Sequence, residues 1–242
     1  MKELFKTLIR NTLTKLGLDI TRNLKYDRLT KKIIASEVSQ GDICVDVGAH
    51  KGEILDLLLA SSAAAHYAFE PIPFYYNYLK DKYGAKCNIY NVALSEHAGE
   101  TTFNFVKNAP AYSGLKKRQY NIAEPDIEEI TVKLSTLDQV INPKEQIKLI
   151  KIDVEGAELG VLKGAVELIK RCKPIIIFEC GLGASEYYET TPKEIYDFIV
   201  IKCSLQIFTL HAFTSNKQRL TENEFISIFQ SNAEYYFVAA KV

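Results

Sequence analysis

The chain has no tryptophan and only one methionine in 242 residues, and its thirty basic and thirty acidic side chains cancel. With no net charge, it has no global field to draw it to nucleic acid. No apolar run approaches the roughly 20 residues that span a bilayer. The N-terminus also lacks the continuous apolar core of a secretory signal. The five cysteines, Cys44, Cys87, Cys172, Cys180 and Cys203, are odd in number and form no C-x-x-C pair. That scatter excludes a disulfide framework or zinc site and fits reduced thiols in the cytoplasm. What remains, 47% apolar and 25% charged, is an ordinary globular composition. The length allows one large α/β domain that buries about 70% of its unfolded surface.

The charge is unevenly spread. Residues 1–32 carry nine basic side chains against Glu3, Asp19 and Asp27. Phe5, Leu8, Ile9, Leu13 and Leu16 share one side of a helix, with Lys2, Lys6, Arg10 and Lys15 largely elsewhere. Such a helix packs on the domain, or lies on an anionic membrane surface as a peripheral contact at the inner face. The expected organisation is therefore a basic helical segment, 1–40, ahead of one domain, 41–242.

From residue 41 apolar runs alternate with helix-period segments, the mark of an α/β fold. Strands are expected up to Asp46, at Tyr67-Ala68-Phe69, from Asn88 to Ala93, from Ile147 to Asp153, at Ile175 to Phe178, from Leu205 to Leu210 and from Tyr235 to Ala240. Glu100 to Val106 and Ile130 to Leu134 read as a small antiparallel insertion. Between them, Lys107 to Glu129 is long and polar, a disordered stretch or a lid. Leu159, Leu162, Val166 and Ile169 define one helical stripe, and Thr191-Pro192-x-Glu194 starts another helix. The sum is a Rossmann-like, doubly wound seven-stranded sheet whose strand order the sequence does not disclose.

The segment Val45-Asp46-Val47-Gly48-Ala49-His50-Lys51-Gly52-Glu53 is a strand, a glycine turn and a helix start. In such a sheet the ligand lies at the strand's carboxyl end. A dinucleotide fingerprint would need glycines where His50 and Glu53 stand, and Glu53 would repel a pyrophosphate. A ligand with a ribose and a positive end but no phosphate fits better, and S-adenosylmethionine is one. Glu70, 24 residues after Asp46, ends the second strand, where an acid accepts from ribose hydroxyls. Pro71 sets the chain direction beneath it. Backbone N–H groups of the turn suit a carboxylate, Asp46 an ammonium, and the stretch through Ala93 an adenine edge.

Asp46, Glu70, Asp153 and Glu179 all fall at or just past strand ends. Asp153, Glu155 and Glu158 crowd three carboxylates into six positions, and like charges raise one another's pKa. One of them can cap a helix; all three need a cation, a shared proton or a metal. Paired oxygens of Asp153 and Glu155 suit Mg²⁺, although no metal ligand set is assigned. Of the histidines, His50 sits in the turn, while His66, His97 and His211 read as structural or solvated. Tyr112, Ser113, Tyr187 and Tyr188 could line a sugar-sized cleft.

VDVGAHKGE, FEPIP, NVALSEHAGE, LIKIDVEGAELGVLKGA and IIIFEC, in that order, resemble the FkbM family of S-adenosylmethionine-dependent methyltransferases. The resemblance runs from about Gly41 to Cys180, and KIDVEGAE is its most specific part. It implies the class I methyltransferase fold and O-methylation of a sugar, glycan or other natural-product hydroxyl. By that likeness Asp46, Gly48 and Gly52 belong to the methionine pocket and Glu70 to the ribose; the reading of the turn and strand ends adds Ala49, His50, Pro71 and Ala93 to the expected cofactor-binding residues. Asp153 and Glu155 then face the transfer point, with Asp153 the first choice of general base and Glu155 the second. Three readings compete. A nicotinamide dehydrogenase lacks its glycines. A nucleotide-sugar transferase would use Asp153-Val154-Glu155 for a metal. A non-catalytic S-adenosylmethionine-binding module would be indifferent to Asp153.

Overall fold

The computed structural model describes residues 21–120, 122–215 and 217–241. The amphipathic stripe of residues 5–16 lies outside them. Seven strands form one sheet in the order β3-β2-β1-β7-β8-β10-β9. They are β1 (Ile43–Val47), β2 (Tyr67–Phe69), β3 (Asn88–Tyr90), β7 (Ile147–Ile152), β8 (Ile175–Glu179), β9 (Gln206–Thr209) and β10 (Tyr236–Ala240). All neighbours are parallel except β10, which runs antiparallel to β8 and β9. The central strands are buried on both faces, which is why they read as near-continuous runs such as Ile175-Ile176-Ile177-Phe178.

Two apolar clusters sandwich the sheet. One gathers Val45, Val47, Ile150, Ile152, Leu162, Ile169, Phe178 and Phe237; the other gathers Cys44, Leu55, Leu58, Leu149, Ile177 and Val238. Helix α1 (Arg22–Glu37) belongs to the second cluster. Its Tyr26, Leu29, Ile33 and Ile34 are buried there, and Thr21 caps it by accepting from Leu24 N–H. Helix α2 (Glu53–Ser61) follows the glycine turn and α3 (Pro73–Tyr83) follows β2. Among the described residues no helix is long and apolar enough to cross a membrane.

Three expectations change in detail. The strand expected from Asn88 to Ala93 divides, because the Asn91 amide donates to the carbonyls of Glu70 and Pro71 at 2.9 and 3.0 Å and pulls the chain aside. Beyond it, β4 (Ala93–Leu94) joins β5 (Gly99–Val106) and β6 (Ile127–Ser135) in a three-stranded sheet, with β4 parallel to β6. The stripe Leu159 to Ile169 is two helices, α4 (Glu158–Lys163) and α5 (Val166–Cys172), not one. At Gly164 a Cβ would stand 2.1 Å from the Ser95 carbonyl oxygen, and the second helix restarts with its Glu167 and Leu168 N–H groups held by Asp138. Finally, the chain turns into a short helix at Leu210–Ser215, where the sequence suggested the end of a strand.

Candidate active site

A cleft of about 810 Å³, counted out to its open mouth, lies over the carboxyl ends of β1, β2 and β7. Of the residues singled out from the sequence, Gly48, His50, Glu70, Pro71, Ala93, Ser113, Asp153 and Glu155 line it. Asp46, Ala49 and Gly52 do not appear in its lining. Because β1 lies between β2 and β7, Glu70 stands on one side of the glycine turn and Asp153 on the other.

The turn is built by close approach. Gly48 has φ +81°, and a Cβ there would sit 1.9 Å from the Asp153 carbonyl oxygen. Gly52 also has positive φ, but its neighbour is the Tyr83 ring, which a Cβ would meet at 2.5 Å. Its glycine thus serves helix packing, sealed by the Tyr83 hydroxyl donating to Gly52 O and Asp56 Oδ1. The expected free N–H groups are largely spent. Those of Gly48 and Ala49 donate to Phe69 O, that of Gly52 to Ala49 O, and that of His50 to Glu70 Oε2 at 2.8 Å. The turn therefore presents a narrower anion site than its sequence suggests.

Glu70 is held between His50 N–H on Oε2 and Ile72 N–H on Oε1, both at 2.8 Å. Each oxygen accepts one of these bonds and keeps acceptor capacity for a second. Burial pushes its carboxyl up to about 7, against the pull of those two donors. Asp46 is fully buried with neither carboxylate oxygen hydrogen-bonded, and burial raises it to about 7, partly opposed by Lys151. The His50 ring packs on Tyr75 at 4.3 Å, its Nε2 is buried without a partner, and burial lowers its pKa.

On the other side, Asp153, Glu155 and Glu179 bring carboxylate oxygens within 4.8 Å of one another. Sequence reasoning missed the groups that answer them. Lys151 Nζ and the Tyr236 hydroxyl both donate to Asp153 Oδ2 at 2.5 Å, and Arg118 Nη2 donates to Glu155 Oε2 at 2.5 Å. Lys151 was legible: two residues apart on a strand, Lys151 and Asp153 share a face. Arg118 and Tyr236 come from distant segments, and no local pattern announces them.

These partners reverse one expectation. Burial works to raise Asp153, but Lys151, Glu179 and Tyr236 outweigh it and hold the carboxyl well below its ordinary range. The crowding falls on its neighbours instead. Burial and the Asp153 charge push Glu155 up to about 8, against Arg118, and drive Glu179 well above its ordinary value. Asp153 is thus held as an anion, while Glu155 keeps its proton to higher pH. Glu158 is the local cap, accepting from Val154 and Gly156 N–H at 3.1 and 3.2 Å.

The polar loop after β5 arches over this side, and its Pro110, Ala111, Ser113 and Leu115 line the cleft. Two tyrosines expected at a sugar site instead fasten the loop: the Tyr188 hydroxyl accepts from Lys116 N–H and that of Tyr187 from Gln119 N–H. Arg118 completes the latch, its guanidinium 5.0 Å over the Tyr112 ring and bonded to Gly183 O. His66 is structural, accepting from Cys44 N–H at Nδ1.

Residues 46–206 match the methyltransferase FkbM domain family. Among curated proteins, the chain is 29% identical over 170 residues to a ribosomal RNA small subunit methyltransferase A from Synechococcus sp. (strain WH7803), covering 63% of this chain and 56% of that protein. It is 26% identical over 161 residues to the hexuronic acid methyltransferase AglP of Haloferax volcanii, covering 64% and 63%. The chain therefore spans less than two thirds of the length of the curated relatives it matches. A crystal structure of methyltransferase FkbM from Methylobacillus flagellatus superposes with a TM-score of 0.50 at 16% identity, covering 82% of this chain and 43% of that one. At that identity the likeness speaks for the fold, the class I methyltransferase arrangement.

Proposed function

This chain belongs to the FkbM methyltransferase family, and we propose that it is an S-adenosylmethionine-dependent O-methyltransferase acting on a hydroxyl of a sugar or glycan. The observation that carries the reading is the single cleft that has Glu70 on one side of the Gly48 turn and the Asp153–Glu155 pair on the other. The cofactor's structure fits that cleft. Glu70 offers two oriented oxygens to ribose hydroxyls, Ala93 with Val92 and Leu94 gives an apolar edge for a base, and the unbonded carboxylate of Asp46 behind the turn suits a positive group. When bound, S-adenosylmethionine supplies a methyl carbon activated by its sulfonium for in-line displacement.

The chain's own residues then orient and deprotonate the acceptor. Asp153, ionised and clamped by Lys151 and Tyr236, holds the acceptor side in place so that the acceptor hydroxyl is aligned, which is most of what such a displacement requires. Glu155 takes the proton from that oxygen. A carboxyl raised to about 8 is far better matched to this task near neutral pH than an ordinary one. Arg118 steadies the Glu155 carboxylate that receives the proton and, with Tyr187 and Tyr188, keeps the loop closed against water. A cleft walled by carboxylates repels phosphate and tolerates neutral hydroxyls, which favours a saccharide over the RNA that one relative's name specifies.

The test is transfer of label from methyl-labelled S-adenosylmethionine to a panel of neutral and uronic-acid glycans, with ribosomal RNA as the control acceptor. Base-labile carboxyl esters are separated from stable ethers. Label in an ether on a glycan supports the reading; label on RNA alone, or no binding of S-adenosylmethionine by folded protein, overturns it.

A further inference from the structure

Lysine is rarely buried without a specific reason, and the Lys151 side chain is only 9% exposed. Its position in the sheet is informative. In the β1–β7 register Lys151 is the partner of Asp46, on the cofactor side of the cleft, while its ammonium is bonded to Asp153 on the acceptor side. Five elements bring acidic or hydroxyl groups toward it: Asp46 from β1, Asp153 from the end of β7, Glu179 from β8, the Tyr236 hydroxyl from β10 and, more distantly, exposed Asp27 from α1. Glu53, at the start of α2, adds its charge to Asp46 and Asp27. Burial works against the lysine's charge, yet Asp153 and Asp46 together raise its pKa.

We propose that Lys151 is a positioning residue shared by both halves of the cleft. It clamps Asp153, with the Tyr236 hydroxyl as second clamp on the same oxygen, and it balances the buried, unbonded charge of Asp46. The inference rests on the methyltransferase reading for its consequence, though not for its geometry. Without Lys151, two neighbouring acids in low dielectric cannot both remain ionised. One of them takes a proton, and the cofactor side and the acceptor side are disturbed together. Tyr236 acts on Asp153 alone, so its loss should spare the cofactor side.

The experiment uses the full chain and two variants, Lys151→Met and Tyr236→Phe, each checked for folding by circular dichroism. Calorimetric titration with S-adenosylmethionine alone, at several pH values between 6 and 9, reads the cofactor side. Carbon-13 NMR of the side-chain carboxyl of Asp153, assigned with Asp153→Asn, reads the clamp without any cofactor. Lys151→Met should weaken binding about tenfold or more and move the Asp153 titration upward by about one pH unit or more. Tyr236→Phe should also move the titration upward while leaving cofactor affinity within about twofold. If Lys151→Met fails to fold, an upward shift in Tyr236→Phe sustains the clamp and its absence refutes it. Folded variants whose Asp153 titrates as in the wild type overturn the proposal. If the wild type binds no S-adenosylmethionine, the methyltransferase reading fails, while the NMR titration still decides the clamp.

Discussion

Substitution of Asp46 by asparagine isolates one costly group of the fold. The carboxylate is wholly buried and its oxygens have no hydrogen-bond partner, so burial lifts it from 3.8 to about 7. The folded state therefore holds a proton that the unfolded chain has released throughout the interval between those values. Stability linked to this group is fully present below the lower value and is lost as pH rises through the upper one. Integrated from pH 6 to pH 8, the loss is about 1 kcal/mol for this residue alone. Asparagine keeps the shape and cannot ionise. Chemical denaturation of Asp46→Asn and wild type at both values should show the gap between them moving in the variant's favour by about that amount. The same variant should bind S-adenosylmethionine more weakly, the usual exchange of stability against function. A gap that stays constant from pH 6 to 8, or a wild type that gains stability over that interval, would refute the reasoning.

Other substitutions probe the remaining parts. Gly48→Ala forces a Cβ to within 1.9 Å of the Asp153 carbonyl oxygen at φ +81°; overpacking and left-handed strain together should cost about 2–4 kcal/mol, read by urea denaturation, and abolish cofactor binding. Glu70→Gln loses one of two charge-assisted acceptors for His50 and Ile72 N–H, at about 1.5–3 kcal/mol each. Calorimetry should then register S-adenosylmethionine affinity reduced by about ten- to a hundredfold. For methyl transfer by the wild type, the rate should rise with pH through about 8 as Glu155 loses its proton. Arg118→Gln removes the cation that opposes this rise, so the acid limb of the pH–rate profile should move further up, and an unmoved limb would clear Glu155 of the role.

The sheet was readable because its signals are local. Strand positions follow from apolar runs bounded by turn residues, and four acids at strand ends follow from the strands. The altered glycine spacing at His50 and Glu53 needs no tertiary information to argue against a pyrophosphate. Charge state was another matter. From spacing alone Asp153 has two acidic neighbours, Glu155 and Glu158, and its carboxyl should rise. In space its nearest partners are Lys151 and Tyr236, and the carboxyl falls. Tyr236 lies 83 residues away and Arg118 lies 37 from Glu155, separations at which sequence pattern carries no contact information. The backbone accounting at the turn was equally hidden: that Phe69 O accepts from both Gly48 and Ala49 N–H depends on how β2 ends beside β1.

The distribution of these charges joins folding to function. Asp46, Glu70 and Glu158 are buried, and Glu155 and Glu179 half-buried, at or near the strand ends, all with pKa values driven upward. Arg118 is bonded to Glu155 and Lys151 to the neighbouring Asp153. A fold selected only for stability would replace such acids with apolar residues, since buried ionic clusters rarely repay their desolvation. Their presence along one edge makes the cleft deficient in positive charge. A ligand that brings a positive group there is bound more tightly as pH rises and the acids ionise, and it returns part of the stability that the apoprotein loses. The melting temperature of the apoprotein should fall from pH 6 to 8, and saturating S-adenosylmethionine should raise it more at pH 8 than at pH 6. A cofactor-induced increment that shrinks with rising pH would show that the carboxylates at the strand ends do not face the ligand's positive end.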